Sequence, residues 1–336
     1  MSLTFGLVLD FATPTRTIHE QMDRYREVIA TADRYGFDSV TTGEGPSLRP
    51  QWGHTPAPLL VLAALAPVTR MRLGTVVTLL PTWHPLKLAY ETAVLDQISG
   101  GRLILGVGLG RPELARRYGI DAEPVGQYAD DVLAALRALW SGKDGFVGKG
   151  VSVEGGIGVY PVQPGGPPIW VGGSVQRSAE RAAEWGDGYI GSTSQSFDHL
   201  VQMGERYRAA LAARGKDPAS AVVATNRLTV VAETEKEVRE AAVGPVGEVL
   251  GVYARLGAQM PRDPTIGSKT TAELFDEFDE SRCLVGTPEQ VAERLRRYEK
   301  AGVTHIMARL CPQEIAPEHA VRTVELLGRR VLPEFR

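Results

Sequence analysis

Short apolar runs alternate along the chain with longer stretches whose apolar positions recur every three to four residues. Residues 3–9 read as a strand. Ile18, Met22, Tyr25, Ile29 and Ala32 then mark one face of an amphipathic helix, which Gly36 closes. The rhythm repeats with strands at 37–42, 72–79 and 103–107, and helices at 57–66, 86–98 and 127–140. A Gly/Pro-rich stretch at 145–166 interrupts it, with short strands expected at 151–153 and 159–162. It resumes with strand 168–171, helix 178–185, strand 189–191, helix 200–214 and a long β-rich run at 222–231. Residues 235–282 are mixed and partly acidic, with one helix expected early and another at 272–278. Thr287-Pro288-Glu289-Gln290 is a helix start, with Thr at the cap and Gln three residues on. Val291, Leu295 and Tyr298 mark its buried face, and a last strand (303–310) and helix (318–331) follow.

Strands alternating with helices imply a parallel sheet. Eight such units favour an α/β fold of one class, a closed (β/α)₈ TIM barrel, over an open doubly wound sheet. No internal repeat or low-complexity linker divides the chain. The expectation is one domain over residues 1–336, with insertions after strand 4 and strand 7 at about 145–166 and 235–282.

Composition narrows the partners. The chain has 336 residues, 43% of them hydrophobic, enough for a large core without disulfides or metals. A net charge of −3, with Arg294, Arg296 and Arg297 set among acids, argues against nucleic acid. Cys283 and Cys311 lie far apart, giving neither a zinc spacing nor a disulfide framework, so no metal is expected and a reducing cytosol fits. The first residues lack a basic, cleavable leader, and the apolar run near 58–68 is too short for a membrane span. The expected location is cytoplasmic.

Gly106-Val107-Gly108-Leu109-Gly110 follows a strand, yet Arg111 stands where a dinucleotide fingerprint needs glycine. The glycines still permit close backbone approach at the strand end, the catalytic face of a barrel. Val171-Gly172-Gly173-Ser174 runs from a strand straight into a helix, with Arg177 one turn on. That is either a phosphate cup or a plain glycine turn with a serine cap. Glu44 ends the second strand on the same face. Among six histidines none makes a metal motif. His54, His84 and His305 each read either as structural imidazoles or as proton carriers. His54, in a polar loop beside Trp52, is the best placed of them to move protons. Asp130-Asp131 and the acids at 276–280 read as solvated helix faces.

Several blocks resemble the bacterial-luciferase-like family of flavin- and deazaflavin-dependent oxidoreductases. They are Ala32-Asp-Arg-Tyr-Gly-Phe-Asp-Ser-Val, Arg72-Leu-Gly-Thr-Val-Val-Thr-Leu-Leu-Pro-Thr-Trp-His-Pro, Leu95-Asp-Gln-Ile-Ser-Gly-Gly-Arg-Leu, Pro168-Ile-Trp-Val-Gly-Gly-Ser, Gly186-Asp-Gly-Tyr and Val285-Gly-Thr-Pro-Glu-Gln. They occur in family order and span nearly the whole chain. The resemblance implies a (β/α)₈ barrel with a flavin-type ring at its C-terminal face. It implies a cis peptide at Val76–Val77 beneath the ring, with Gly108 and Gly110 flanking the cofactor. It implies a phosphate site at Gly173, Ser174 and Arg177, an acidic group at Glu44, and a homodimer. The family often places histidine directly after that acid; here Gly45 stands there, leaving His54 to substitute.

Three functions follow from the resemblance. The first is a two-component monooxygenase, taking reduced FMN from a separate flavin reductase and O₂ to oxidise a small organic substrate, in a mouth lined by Trp52 and Trp83. The second is hydride transfer with the deazaflavin coenzyme F-420. The third, suggested by the missing histidine, is a flavin-binding protein without catalysis.

Overall fold

Eight parallel strands close on one another in a computed structural model, which describes residues 2–11, 15–45, 55, 57–110, 112–255, 265–310 and 315–336. The first half runs β1 (Thr4–Val8), α1 (Ile18–Arg34), β2 (Ser39–Thr42), α2 (Pro58–Leu65), β3 (Arg72–Thr75), β4 (Thr78–Leu79), α3 (Pro85–Ser99), β5 (Leu103–Gly108), α4 (Pro112–Arg117) and α5 (Val125–Trp140). A hairpin of β6 (Gly145–Val147) and β7 (Ser152–Glu154) follows. Then come β8 (Ile169–Gly172), α6 (Gln176–Trp185), β9 (Gly188–Gly191), α7 (Phe197–Ala212), β10 (Val222–Val231), α8 (Glu235–Arg255), α9 (Thr271–Arg282), β11 (Cys283–Gly286), α10 (Pro288–Lys300), β12 (His305–Arg309) and α11 (Pro317–Leu326).

The ring is β1-β2-β3-β5-β8-β9-β10-β12, closed where β12 returns to β1. This is the expected (β/α)₈ TIM barrel. The α10 start carries the cap that the sequence announces, and α1 has one of the same kind. Thr287 accepts from the Gln290 N–H while the Gln290 side chain reaches back to the Thr287 N–H, and Thr17 and Glu20 do the same for α1.

Three local expectations are corrected. The third strand is not continuous over 72–79; it breaks at Val76–Val77 into β3 and β4. Residues 159–162 are not a strand, because the Val162 and Gln163 N–H groups donate to the buried Asp96 carboxylate at 2.8 and 3.0 Å instead of to a neighbouring strand. Asp131 is no solvated face. It is buried and accepts from the Gly150 N–H at 2.6 Å, holding the hairpin loop against α5. A short strand that the sequence did not announce, β11, follows the stretch at 235–282 and pairs with the far end of β10 outside the ring. Four residues, all buried, show no alternation from which a strand could be read.

Inside the ring, Val8, Ile104, Trp170, Ile190, Ala224 and Met307 form an apolar plug, separate from the larger core between strands and helices. Side chains alternate along a strand, so residues two further on also point inward, one layer nearer the C-terminal face. Those residues are Asp10 after Val8, Gly172 after Trp170, Ser192 after Ile190, Asn226 after Ala224 and Arg309 after Met307. The plug is the floor of the site, and that layer is its wall.

Candidate active site

A cavity of about 500 Å³ opens above the plug, at the C-terminal ends of the strands. It gathers most of the residues that the sequence singles out: Glu44, Val76, Val77, Gly108, Gly110, Gly173 and Ser174 all line it. His54 and Trp52 lie outside the described residues.

One side of the cavity is the bed. The Val76–Val77 peptide is cis. The Val76 N–H donates to the Thr42 carbonyl at 2.9 Å, and the Glu44 N–H donates to the Val77 carbonyl at 3.1 Å. The break between β3 and β4 is therefore stitched to the end of β2, which carries the acid. Gly108 completes the bed, since an added Cβ would lie 2.8 Å from Val77 Cγ2.

Glu44 sits at the edge of this bed, 9% exposed. Its carboxylate accepts from the Leu79 N–H at 2.7 Å, from the Trp83 indole N–H at 3.1 Å to each oxygen, and from the Thr82 hydroxyl at 3.4 Å. Burial raises its pKa to about 7, against the pull of these three donors. Such a group can hold or release a proton at neutral pH, which a solvated carboxylate cannot. Trp83, expected as apolar lining, thus acts as a donor.

The other end of the cavity is a cup. Gly173 has φ +152°, and a Cβ there would lie 2.1 Å from the Ser178 Oγ. With no Cβ, the backbone bends around the start of α6, and the Ser174 and Ser178 side chains line the space. The first N–H groups of a helix have no partner within the helix, and its dipole favours an anion there. The cup is braced from behind. The Gly173 carbonyl accepts from the Tyr189 hydroxyl at 2.6 Å, and the Ser174 carbonyl accepts from the His199 Nε2–H at 3.0 Å. Arg177, expected on the phosphate, does not line this cavity. Its guanidinium is half exposed and paired with Asp130 at 2.9 Å and with Glu180 and Glu184 at 3.5 Å.

Sequence reasoning missed the polar wall: Asp10, Asn226 and Arg309 from strand ends, Thr193 and Ser194 after β9, Ser178 on α6, and Tyr253 from α8. The strand-end members carried a signal, a polar residue two places after an inward apolar one. Tyr253 carried none, because it comes from the insertion.

The remaining histidines do other work. His305 is buried below the plug, bonded to the Ser39 hydroxyl at 2.9 Å through Nε2 and to Thr4 through Nδ1. Burial, then the nearby Arg72, lower its pKa to about 3, so it stays neutral. His84 stands at the residue before α3 without a side-chain capping bond, and is exposed. A larger cavity of about 910 Å³, lined by Asp38, Arg70, Arg72 and Arg336 among others, lies at the opposite face. Strand N-termini in barrels serve stability, so this is not the candidate site.

The chain is thus a (β/α)₈ barrel with a strand-end cavity, a glycine turn at a helix start and a buried titratable carboxyl on one face. The luciferase-like monooxygenase family matches residues 3–305, and the chain belongs to that family. It is 29% identical to the oxygenase component of the flavin-dependent trigonelline monooxygenase of Acinetobacter baylyi, over 90% of this chain and 87% of that one. It is 28% identical to the 5,10-methylenetetrahydromethanopterin reductase of Archaeoglobus fulgidus, over 82% and 87%. The crystal structure of monooxygenase RslO1 from Streptomyces bottropensis superposes with a TM-score of 0.80 at 25% identity, over 99% of this chain and 100% of that one. The chain is thus an oxidoreductase, of a family whose members similar to it include flavin-dependent monooxygenases and a reductase. No helix among the described residues is long and apolar enough to cross a membrane.

Proposed function

We propose that this protein is the oxygenase of a two-component monooxygenase, using reduced FMN from a separate reductase and O₂ to oxidise a small organic substrate. The observation that carries this reading is the surface beside the cup. Asp130, Glu180 and Glu184 surround Arg177 there and neutralise it. A cofactor that ends in one phosphate stops in the cup. Coenzyme F-420 continues into a longer anionic tail, which would meet those acids. The similarity to a trigonelline monooxygenase component over 90% of the chain supports the same reading.

The residues present fit FMN. The α6 start, Ser174 and Ser178 would hold the phosphate; Val76, Val77 and Gly108 would bed the ring. Bound reduced FMN supplies the electrons that let one oxygen atom of O₂ pass to substrate and the other to water. The chain's own part is to bind, to exclude water with the apolar bed, and to hold a proton at Glu44, which the backbone of Leu79 and the indole of Trp83 keep in place. His54 is proposed as a second proton carrier from the same loop.

The test is a titration with oxidised FMN, anaerobically reduced FMN and coenzyme F-420, followed by fluorescence or absorbance. Reduced FMN is expected to bind tightest. Tight binding of F-420 alone would replace this reading with hydride transfer, the chemistry suggested by the 28% identity to the archaeal reductase.

We also propose a homodimer through α2 and α3, whose outward side chains Leu60, Tyr90 and Ile98 are 74%, 50% and 55% exposed. Light scattering on a sizing column is expected to give twice the chain mass of 36.3 kDa; a monomer would exclude it.

A further inference from the structure

The polar wall of the cavity is a directional chain, and its direction can be worked out. Arg309 is buried, and its guanidinium donates through Nε and Nη2 to the Asp10 carboxylate at 3.0 and 2.8 Å. Its Nη1 donates to the Tyr253 hydroxyl and, at 3.5 Å, to the Thr193 hydroxyl. A guanidinium only donates, so both hydroxyl oxygens accept from it. Thr193 then has its own proton left, and the Asn226 Oδ1 takes it. Two groups remain at the end of the chain, the Asn226 amide N–H₂ and the Tyr253 O–H. Neither proton has an acceptor among the described residues, and both residues line the cavity.

The wall therefore presents donors. Its charges cancel, since Asp10 and Arg309 are paired. Glu44, ionised above neutral pH, lies in the same cavity and opposes an anion. We propose that Asn226 and Tyr253 form a donor pair that reads an uncharged carbonyl oxygen on the substrate, selecting ketones, lactones or amides over hydrocarbons and carboxylates. This rests on the reading of the cavity as the active site. Oriented donors of this kind reject analogues lacking the acceptor, because the site's polar groups are then left unpaired.

The probes are cyclohexanone, methylcyclohexane and cyclohexanecarboxylate, titrated by saturation-transfer NMR into FMN-loaded protein. The variants are Asn226→Asp, which turns a donor into an acceptor at constant size, and Tyr253→Phe. Cyclohexanone is expected to bind wild type at least tenfold more tightly than the other two. Each variant is expected to lose about tenfold for the ketone, the value of one hydrogen bond, with the FMN affinity and melting temperature unchanged. Equal binding of all three probes to wild type would overturn the proposal. So would variants that lose FMN affinity and keep the ketone, which would assign the donors to the cofactor. If wild type binds neither FMN nor F-420, the cofactor reading fails, and the same series run without cofactor still decides the donor pair.

Discussion

Turnover is expected to fall at least a hundredfold when Glu44 becomes Gln, and the pH dependence near 7 is expected to vanish with it. The carboxyl is 9% exposed and its pKa stands at about 7, which places its proton in play at working pH. Losing a positioned acid or base costs about 10² to 10⁴ in rate. The change keeps the shape of the side chain, so a packing defect does not confound it. A variant that kept wild-type turnover and its pH profile would remove Glu44 from the mechanism.

The same residue makes a signed stability prediction. Burial raises its pKa in the fold from 4.5 to about 7. Between those values the folded protein holds a proton that the unfolded chain has released. Stability contributed by Glu44 therefore falls as pH rises through this window, and is lowest above 7. One pKa unit is about 1.4 kcal/mol, so the swing over the whole window is at most about 3.5 kcal/mol. Gln does not titrate. Denaturant melts at pH 5 and pH 8 are expected to show the variant gaining on wild type by up to that amount at the higher pH. A difference independent of pH would mean that the carboxyl is not held in this way.

The barrel was legible in the sequence because its elements are long, periodic and closed by glycines, as with Ile18 to Ala32 before Gly36. Departures came where the period failed. Four buried residues at β11 show no alternation, and 159–162 looks β-prone yet its Val162 N–H and that of the next residue, Gln163, go to Asp96, a partner more than sixty residues away. The site divides in the same way. Val76, Val77 and Gly173 announce themselves within family-like blocks, and Glu44 by standing at the end of the second strand. The donor wall does not, because its meaning lies in a hydrogen-bond direction that only the assembled ring of Asp10, Arg309, Thr193 and Asn226 defines. Arg177 shows the reverse case. Its place one turn into α6 suggests a phosphate ligand, but side-chain geometry turns it onto Asp130.

That geometry sets up the second large effect. In Gly173→Ala the new Cβ would fall 2.1 Å from the Ser178 Oγ and 2.6 Å from its Cβ, at a φ of +152° that alanine rarely adopts. Turning the Ser178 hydroxyl away leaves the approach to its Cβ, so the backbone of the cup itself must shift. The affinity ratio of FMN to riboflavin isolates the phosphate, since only FMN carries it. In wild type that ratio is expected to reach about a hundredfold, the value of one or two charge-assisted hydrogen bonds. In Gly173→Ala it is expected to drop to near one, while riboflavin binding changes little. Arg177→Ala is expected to change the ratio less than about fivefold, since that guanidinium is half exposed and already engaged by a carboxylate. If Arg177→Ala abolished the ratio and Gly173→Ala spared it, the phosphate would sit over the arginine, and the start of α6 would be a turn with no ligand to hold.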